Sequence, residues 1–562
     1  MSSKRKTGAK DPARAQRIKD ALEAALRDGF DPFRDPRGGK GSSVVEAARR
    51  LTERGYKTSE RMVRSFLQVQ AAAEARGDEH FLPDWDLFAK PGAPAAAFRK
   101  GEVRRWLLTS AQDDTDVHLR FWSNLQAYAR HIGAEVVVGG FTYNHALFSD
   151  HQTRNAQFAR EVELFIRFDA YDCGPVLFCA EMNTLPTAVR PLSGLTTYAQ
   201  GRTAVFPHAK LAFESVPAMP GKFVPSVMTT GACTVPNYVK KKAGLKAEFH
   251  HVLGATLVEA DDRGNAWCRQ ISATSDGAFQ DLDVIVRSGR ISTGNRVKAV
   301  TFGDIHIPSL EGDVFQALWG RHGASLIDAL RPEYQFIHDL MSFEMASRHV
   351  DGDPIHRARM QAAGLSGIRW QVREGARFLR QIERETCRTV MIESNHDDRL
   401  MQWARKDVDR MDTGNAEYWH ECNLELLRAI REEREGFNLC RWALKNEDPR
   451  QLEGFDFVPM GGSFVICQDS GGIECGMHGH QGPNGSRGTA VGLAKMGTRL
   501  TIADKHSPQI LDGVYIAGMT GDLDQGYNNG PSSWQRAHVI TYANGKRTLV
   551  NQAPDARWQA DG

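Results

Sequence analysis

The chain has 562 residues, 41% of them hydrophobic and 25% charged, with a formal net charge of +2. That length points to about three or four domains with ample core, and the composition is that of a soluble protein. Its nine cysteines include no C-x-x-C pair, which argues against a zinc ribbon and a disulfide framework, and no apolar run reaches the length of a membrane span. A soluble, cytoplasmic protein is expected.

The charge is unevenly spread. Residues 1–70 hold 17 Lys+Arg against 9 Asp+Glu, so this stretch carries about +8 and the remainder about −6. Lys4, Arg5, Lys6 and Lys10 open it as a basic arm, and residues 14–27 read as a short amphipathic helix. Val44, Ala47, Ala48 and Leu51 then make one helical face that Gly55 ends. Ser59 caps a second helix with Met62, Val63, Phe66 and Leu67 inward. Helix, glycine turn and capped helix resemble a helix-turn-helix, with Arg61 and Arg64 facing outward toward DNA. The other reading is a helical packing or oligomerisation module. The excess of cations favours DNA, because neutralising phosphates takes Lys and Arg. The expected division is 1–75 for the arm and helix-turn-helix and 76–101 for a linker bearing Pro83, Pro91 and Pro94.

Residues 102–296 read as a middle α/β domain. A strand over 104–110, a helix over 116–133 and a strand over 134–141 predict a crossover unit, with Leu119, Trp122, Leu125 and Tyr128 on the inward helix face. Polar residues at its mouth, Thr109, Ser110, Gln112, Thr115, His118 and Thr142 among them, are candidates for a pocket or for satisfied turns. The Thr-, Pro- and Gly-rich run 181–242 lacks the spacing of a phosphate-binding loop. Residues 253–286 read as a hairpin turning at Asp261–Asn265.

From residue 297 on, short apolar runs end in metal-ligand residues. Residues 297–302 lead into Gly303-Asp304-Ile305-His306, and Phe336-Ile337 leads into His338-Asp339. Residues 389–393 lead into Ser394-Asn395-His396-Asp397. A Gly-rich stretch carries His478 and His480, and residues 500–503 lead into Asp504-Lys505-His506-Ser507-Pro508. Carboxylate, amide and imidazole together suit a divalent ion such as manganese. Helices are expected over 371–385 and 415–435, the second with Leu424, Leu427 and Ile430 inward.

The order Asp-x-His, Asp, Asn-His-Asp, His and a final His-Ser-Pro resembles the calcineurin-like metallophosphoesterases over residues 297–534. The resemblance implies a C-terminal four-layer αββα sandwich over 297–562, behind the middle α/β domain and the small all-α N-terminus. It also implies two divalent ions, Mn²⁺ or Mg²⁺. Asp304, His306 and His506 would hold the first, Asp339 would bridge, and Asn395 and His478 would hold the second. His396 would be the acid beside the phosphoryl or leaving oxygen. Three positions depart from the family: His338 and Ser394 stand where it has glycine, and Asp504 stands where an imidazole binds the second ion. His480 is an alternative for the last ligand motif. Arg399, Arg487 and His349 are candidates for holding the phosphate. The arrangement is also similar to bacteriophage-encoded metallophosphoesterases of the DNA-transfer nuclease type, which would place it in the host cell cytoplasm. The expected function is a metal-dependent DNA nuclease acting with DNA as partner, as a homo-oligomer. A nucleotide or protein phosphatase, or a DNA-binding structural protein with a degenerate metal site, are the alternatives.

Overall fold

The computed structural model describes residues 98–142, 158–321, 325–347, 353–406, 413–526 and 528–561. The basic arm, the helix-turn-helix with Arg61 and Arg64, and nearly all of the linker lie outside these residues, as does His349. The fold is α/β. Its first sheet has five strands in the order Ala266–Ser272, Gly254–Asp261, Val103–Gln112, Ala134–Phe141 and Ile166–Arg167. The predicted crossover unit is there: Val103–Gln112 and Ala134–Phe141 pair in parallel, joined by the helix Leu119–Ile132. Gly133 ends that helix in the left-handed conformation (φ 66°), which glycine adopts without a Cβ clash. Trp122, Leu125 and Tyr128 are buried as expected, but Leu119 is 62% exposed. It occupies the first helical turn, before the face meets the sheet. The predicted hairpin pairs Gly254–Asp261 with Ala266–Ser272.

A six-stranded sheet has the order Phe455–Val458, Arg388–Ile392, Tyr334–Ile337, Ala299–Thr301, Ala537–Thr541 and Arg547–Asn551. Its first four strands are parallel, and helices carry the chain between them. Such strands are covered on both faces, which is why they read as unbroken apolar runs. One face packs on the helices, with Trp319 fully buried among Phe302 and Phe378 at ring-centroid distances of 4.3 and 5.3 Å. The other face packs on a second, ten-stranded sheet through Phe336, Val390, Ile392, Ile473 and Cys475. The short helix Ala490–Ala494 covers that second sheet from outside.

The ten-stranded sheet joins distant parts of the chain. Strands between residues 465 and 516 form one half, and strands between 170 and 229 form the other. They meet where Gln509–Leu511 pairs with Phe213–Ser215. The Thr-, Pro- and Gly-rich run thus supplies strands to the sheet that carries His478 and His506.

One helix face differs from expectation. In Ala416–Arg431 the buried residues are Tyr418, Cys422 and Ala429, while Leu424, Leu427 and Ile430 are 49%, 64% and 73% exposed. At about 100° per residue the two sets lie on opposite sides. Tyr418 and Cys422 join the apolar cluster that also holds Cys440 and Ala443 of Leu439–Glu447, and that burial orients the helix. Among the described residues no helix is long and apolar enough to cross a membrane.

Candidate metal centre

The ligand loops all leave the carboxyl ends of parallel strands, where open α/β sheets place their sites. Asp304 and His306 follow Ala299–Thr301, Asp339 follows Tyr334–Ile337, and Asn395 follows Arg388–Ile392. In the second sheet His478 follows Ile473–Glu474, and Asp504 and His506 follow Leu500–Ile502. Because the two sheets pack face to face, both sets of loops converge.

Close backbone approach fixes the loops. A Cβ on Gly303 would stand 2.4 Å from the Gly518 carbonyl oxygen, so only glycine lets Asp304 donate its N–H there (3.1 Å). His306 N–H donates to the Asp339 carbonyl at 2.7 Å. Four of the site residues have left-handed backbones: His306 (φ 54°), Asp339 (44°), Asp504 (72°) and His506 (57°). Each such residue costs about 1–3 kcal/mol, and strain of this kind gathers at functional sites. In the Asn395 loop, Ser394 and Asp397 cap one another: the Ser394 hydroxyl donates to the Asp397 carboxylate (2.8 Å) and accepts from its N–H (3.1 Å). Ser394 therefore shapes the turn.

The side chains form two adjoining groups of donor atoms. Asp304, His306, Asp339 and His506 are all buried, and each offers a ligand atom within 4.8 Å of the others. His506 Nε2 lies 3.1 Å from Asp304 Oδ2 and 3.2 Å from His306 Nε2, which is 3.5 Å from Asp339 Oδ2. The second group uses the other carboxylate oxygen: His478 Nε2 is 3.4 Å from Asp339 Oδ1 and 3.5 Å from Asp504 Oδ1. Bonds of about 2.0–2.2 Å place neighbouring ligand atoms roughly 3.0–3.6 Å apart. The observed spacings match that of atoms gathered around a cation. Asp339 Oδ1, Asn395 Oδ1 and His478 Nε2 are buried without hydrogen-bond partners, an arrangement that is costly unless a ligand satisfies them. The donor set therefore fits a divalent metal.

Electrostatics agree. Burial works against a charge on His478, yet Asp339, Asp304 and Asp504 overcome it and push its pKa up to about 10. Burial followed by repulsion from Asp339 raises Asp304. The carboxylates thus draw positive charge inward, which a cation supplies.

The other predicted residues fall in different places. His396 is buried beside the cluster, its ring 4.4 Å from that of His306. Both its nitrogens are engaged, Nδ1 with the Ser342 carbonyl (3.1 Å) and Nε2 with Arg399 Nη2 (3.1 Å). Arg399 Nη1 donates to the same carbonyl at 2.6 Å. Arg487 is exposed on a short hairpin whose Gly488 N–H donates to the His480 carbonyl (2.9 Å). His480 stands behind His478 at 5.5 Å between ring centroids, and its buried Nδ1 has no partner. At the crossover mouth, Thr109 and Ser110 donate to the Gly254 and Gly231 carbonyls and His118 caps its helix, so these polar groups are satisfied within the fold.

Two contributors escaped the sequence reading. His338 Nδ1 lies 3.3 Å from His478 Nδ1, so one ring hydrogen-bonds and orients the other, as ligand histidines require. In the sequence His338 stands out as a departure from the resemblance, with no role assigned to it. Trp534 packs edge-on against His506 at 4.2 Å, and no motif marked it.

No family profile matches the chain, and no solved structure does. Protein A1 of Escherichia phage T5 is 37% identical over 468 residues, which are 80% of this chain and 82% of that protein. With that identity spanning most of both chains, this protein belongs to the family of phage T5 Protein A1.

Proposed function

We propose that the protein is a divalent-metal-dependent phosphoesterase that cleaves phosphodiester bonds in DNA. One observation carries the reading: the Asp339 carboxylate presents one oxygen to each of two ligand groups. Asp304, His306, Asp339 and His506 would hold one ion, and Asp339, Asn395, His478 and Asp504 the other. Bound there, Mn²⁺ or Mg²⁺ supplies an activated water and neutralises phosphoryl oxygens. The protein's own part is positioning. Asp339 ties the two groups together, His338 fixes the His478 ring, and Trp534 backs His506. The Ser342 carbonyl holds His396 and Arg399 as a unit beside the cluster, and the Arg399 guanidinium provides positive charge for the phosphate. The metallophosphoesterase sandwich is the fold family this arrangement suits best. The excess of Lys and Arg in residues 1–70 supports DNA as the substrate.

Lys505 favours a second reading. Its ammonium pairs with Asp504 Oδ2 and competes with a metal for that carboxylate, as in a DNA-binding protein with a degenerate centre. Assays on duplex DNA, single-stranded DNA and a p-nitrophenyl phosphodiester with Mn²⁺, Mg²⁺ or EDTA separate the two. Cleavage that EDTA abolishes and Mn²⁺ restores is expected. DNA binding without cleavage in any metal selects the second reading.

A further inference from the structure

A cavity of about 460 Å³ opens beside the metal centre. Trp534 lines it while packing against His506, and the neighbouring Gln535 lines it while donating its N–H to the His506 carbonyl (3.2 Å). Part of the remaining wall comes from the middle of the chain, and part from Glu311 and the segment 551–554. Phe213 and Met228 are buried in the ten-stranded sheet, and Phe223 is 57% exposed on the loop between their strands. That loop is tied to the Trp534 segment by paired hydrogen bonds between Ala218 and Ser532, of 2.9 and 2.8 Å. The shared sheet therefore brings these aromatic residues to the ligand loops.

The chemistry of the lining is selective. Three aromatic rings and a thioether offer flat apolar surface. Most of the polar side chains are already engaged: Ser226 with Gln535, Asn551 with Ala266 and Cys268, Gln552 with His538 and Ala556. Lys222 adds positive charge, while Arg536 is paired with Glu311, which also lines the cavity. A flat heteroaromatic body joined to an anion fits, and the volume admits a nucleoside.

We propose that this cavity binds the nucleobase next to the phosphate held at the Asp339 centre, by stacking and with little sequence preference. The proposal rests on the phosphodiesterase reading for the position of that phosphate, but base binding itself needs no metal. The test measures binding of deoxyadenosine and thymidine to the full chain in EDTA by calorimetry, with Phe223→Ala and Phe223→Trp alongside. The expected result is saturable binding that weakens by about tenfold in Phe223→Ala and survives in Phe223→Trp. With Mn²⁺, Phe223→Ala should raise KM for thymidine 5′-(p-nitrophenyl phosphate) by about tenfold. Its kcat, and hydrolysis of methyl p-nitrophenyl phosphate, should stay unchanged. Nucleoside binding without hydrolysis of any diester keeps the cavity and removes the phosphodiesterase. Hydrolysis with no nucleoside binding and an unchanged KM in Phe223→Ala overturns the proposal.

Discussion

On the proposed reading, His396 and Asp504 separate the holding of metal from the handling of phosphate. His396 belongs to no ligand group; its nitrogens face Ser342 and Arg399. His396→Ala should keep the metal content and lower kcat, since Arg399 loses the Nε2 partner that helps hold it beside the cluster, checked by elemental analysis beside DNA cleavage. Asp504 contributes an oxygen 3.5 Å from His478 Nε2. Asp504→Ala should lose metal, and excess Mn²⁺ should restore part of the rate. Asp504→His should stay active and accept softer ions such as Zn²⁺. Metal loss in His396→Ala with none in Asp504→Ala would exchange the two assignments and bring His480 forward. At this scale the sequence was informative. The convergence of Asp304, Asp339, His478 and His506 follows from acids and histidines at the ends of apolar runs. The pairing of His338 with His478 was not legible, because it joins side chains 140 residues apart.

Close backbone contacts set the loops between elements. Gly303 stands where a Cβ would lie 2.4 Å from the Gly518 oxygen and 2.7 Å from the Met519 carbonyl carbon, so neither neighbour can yield as a flexible side chain would. Gly303→Ala should destabilise by about 1–3 kcal/mol and weaken metal binding, since Asp304 moves with it. A denaturation midpoint and metal affinity both equal to wild type would contradict this. Strands bounded by glycine and turn residues were legible, as in Ala134–Phe141 and the hairpin after Gly254. The helix Ala416–Arg431 shows where periodicity stops: it has two apolar faces, and the one with Tyr418 and Cys422 is buried. A hydrophobic count favours the leucines, whereas the apolar cluster that holds Cys440 and Ala443 takes the other face.

Over the whole molecule, one ten-stranded sheet ties residues 170–229 to residues 465–516. Nothing in the short, polar-interrupted strands of the earlier segment announces partners some 300 residues away, so the cavity they help to form was invisible to local pattern. The same burial makes the fold acid-sensitive. His208, His251 and His538 take a proton near 6.5 when unfolded, and chiefly burial lowers them to about 4 in the fold. The unfolded chain thus binds more protons between those values, and this stability is complete above about 6.5 and lost as pH falls toward 4. Asp397, pushed up to about 8 by burial, and Asp304, also raised, work the other way, but burial lowers His306, His338 and His396 as well. The lowered histidines outnumber the raised acids, so the expected readout is a urea midpoint in EDTA that falls between about pH 6.5 and 5. A midpoint that rises over that range would contradict it. The central claim, a metal centre built around Asp339, is tested most directly by anomalous diffraction from crystals grown with Mn²⁺. The account predicts two manganese peaks, one on each oxygen of Asp339, with Asp304, His306 and His506 around the first and Asn395, His478 and Asp504 around the second. Absence of any peak within bonding distance of Asp304 and Asp339 would contradict it.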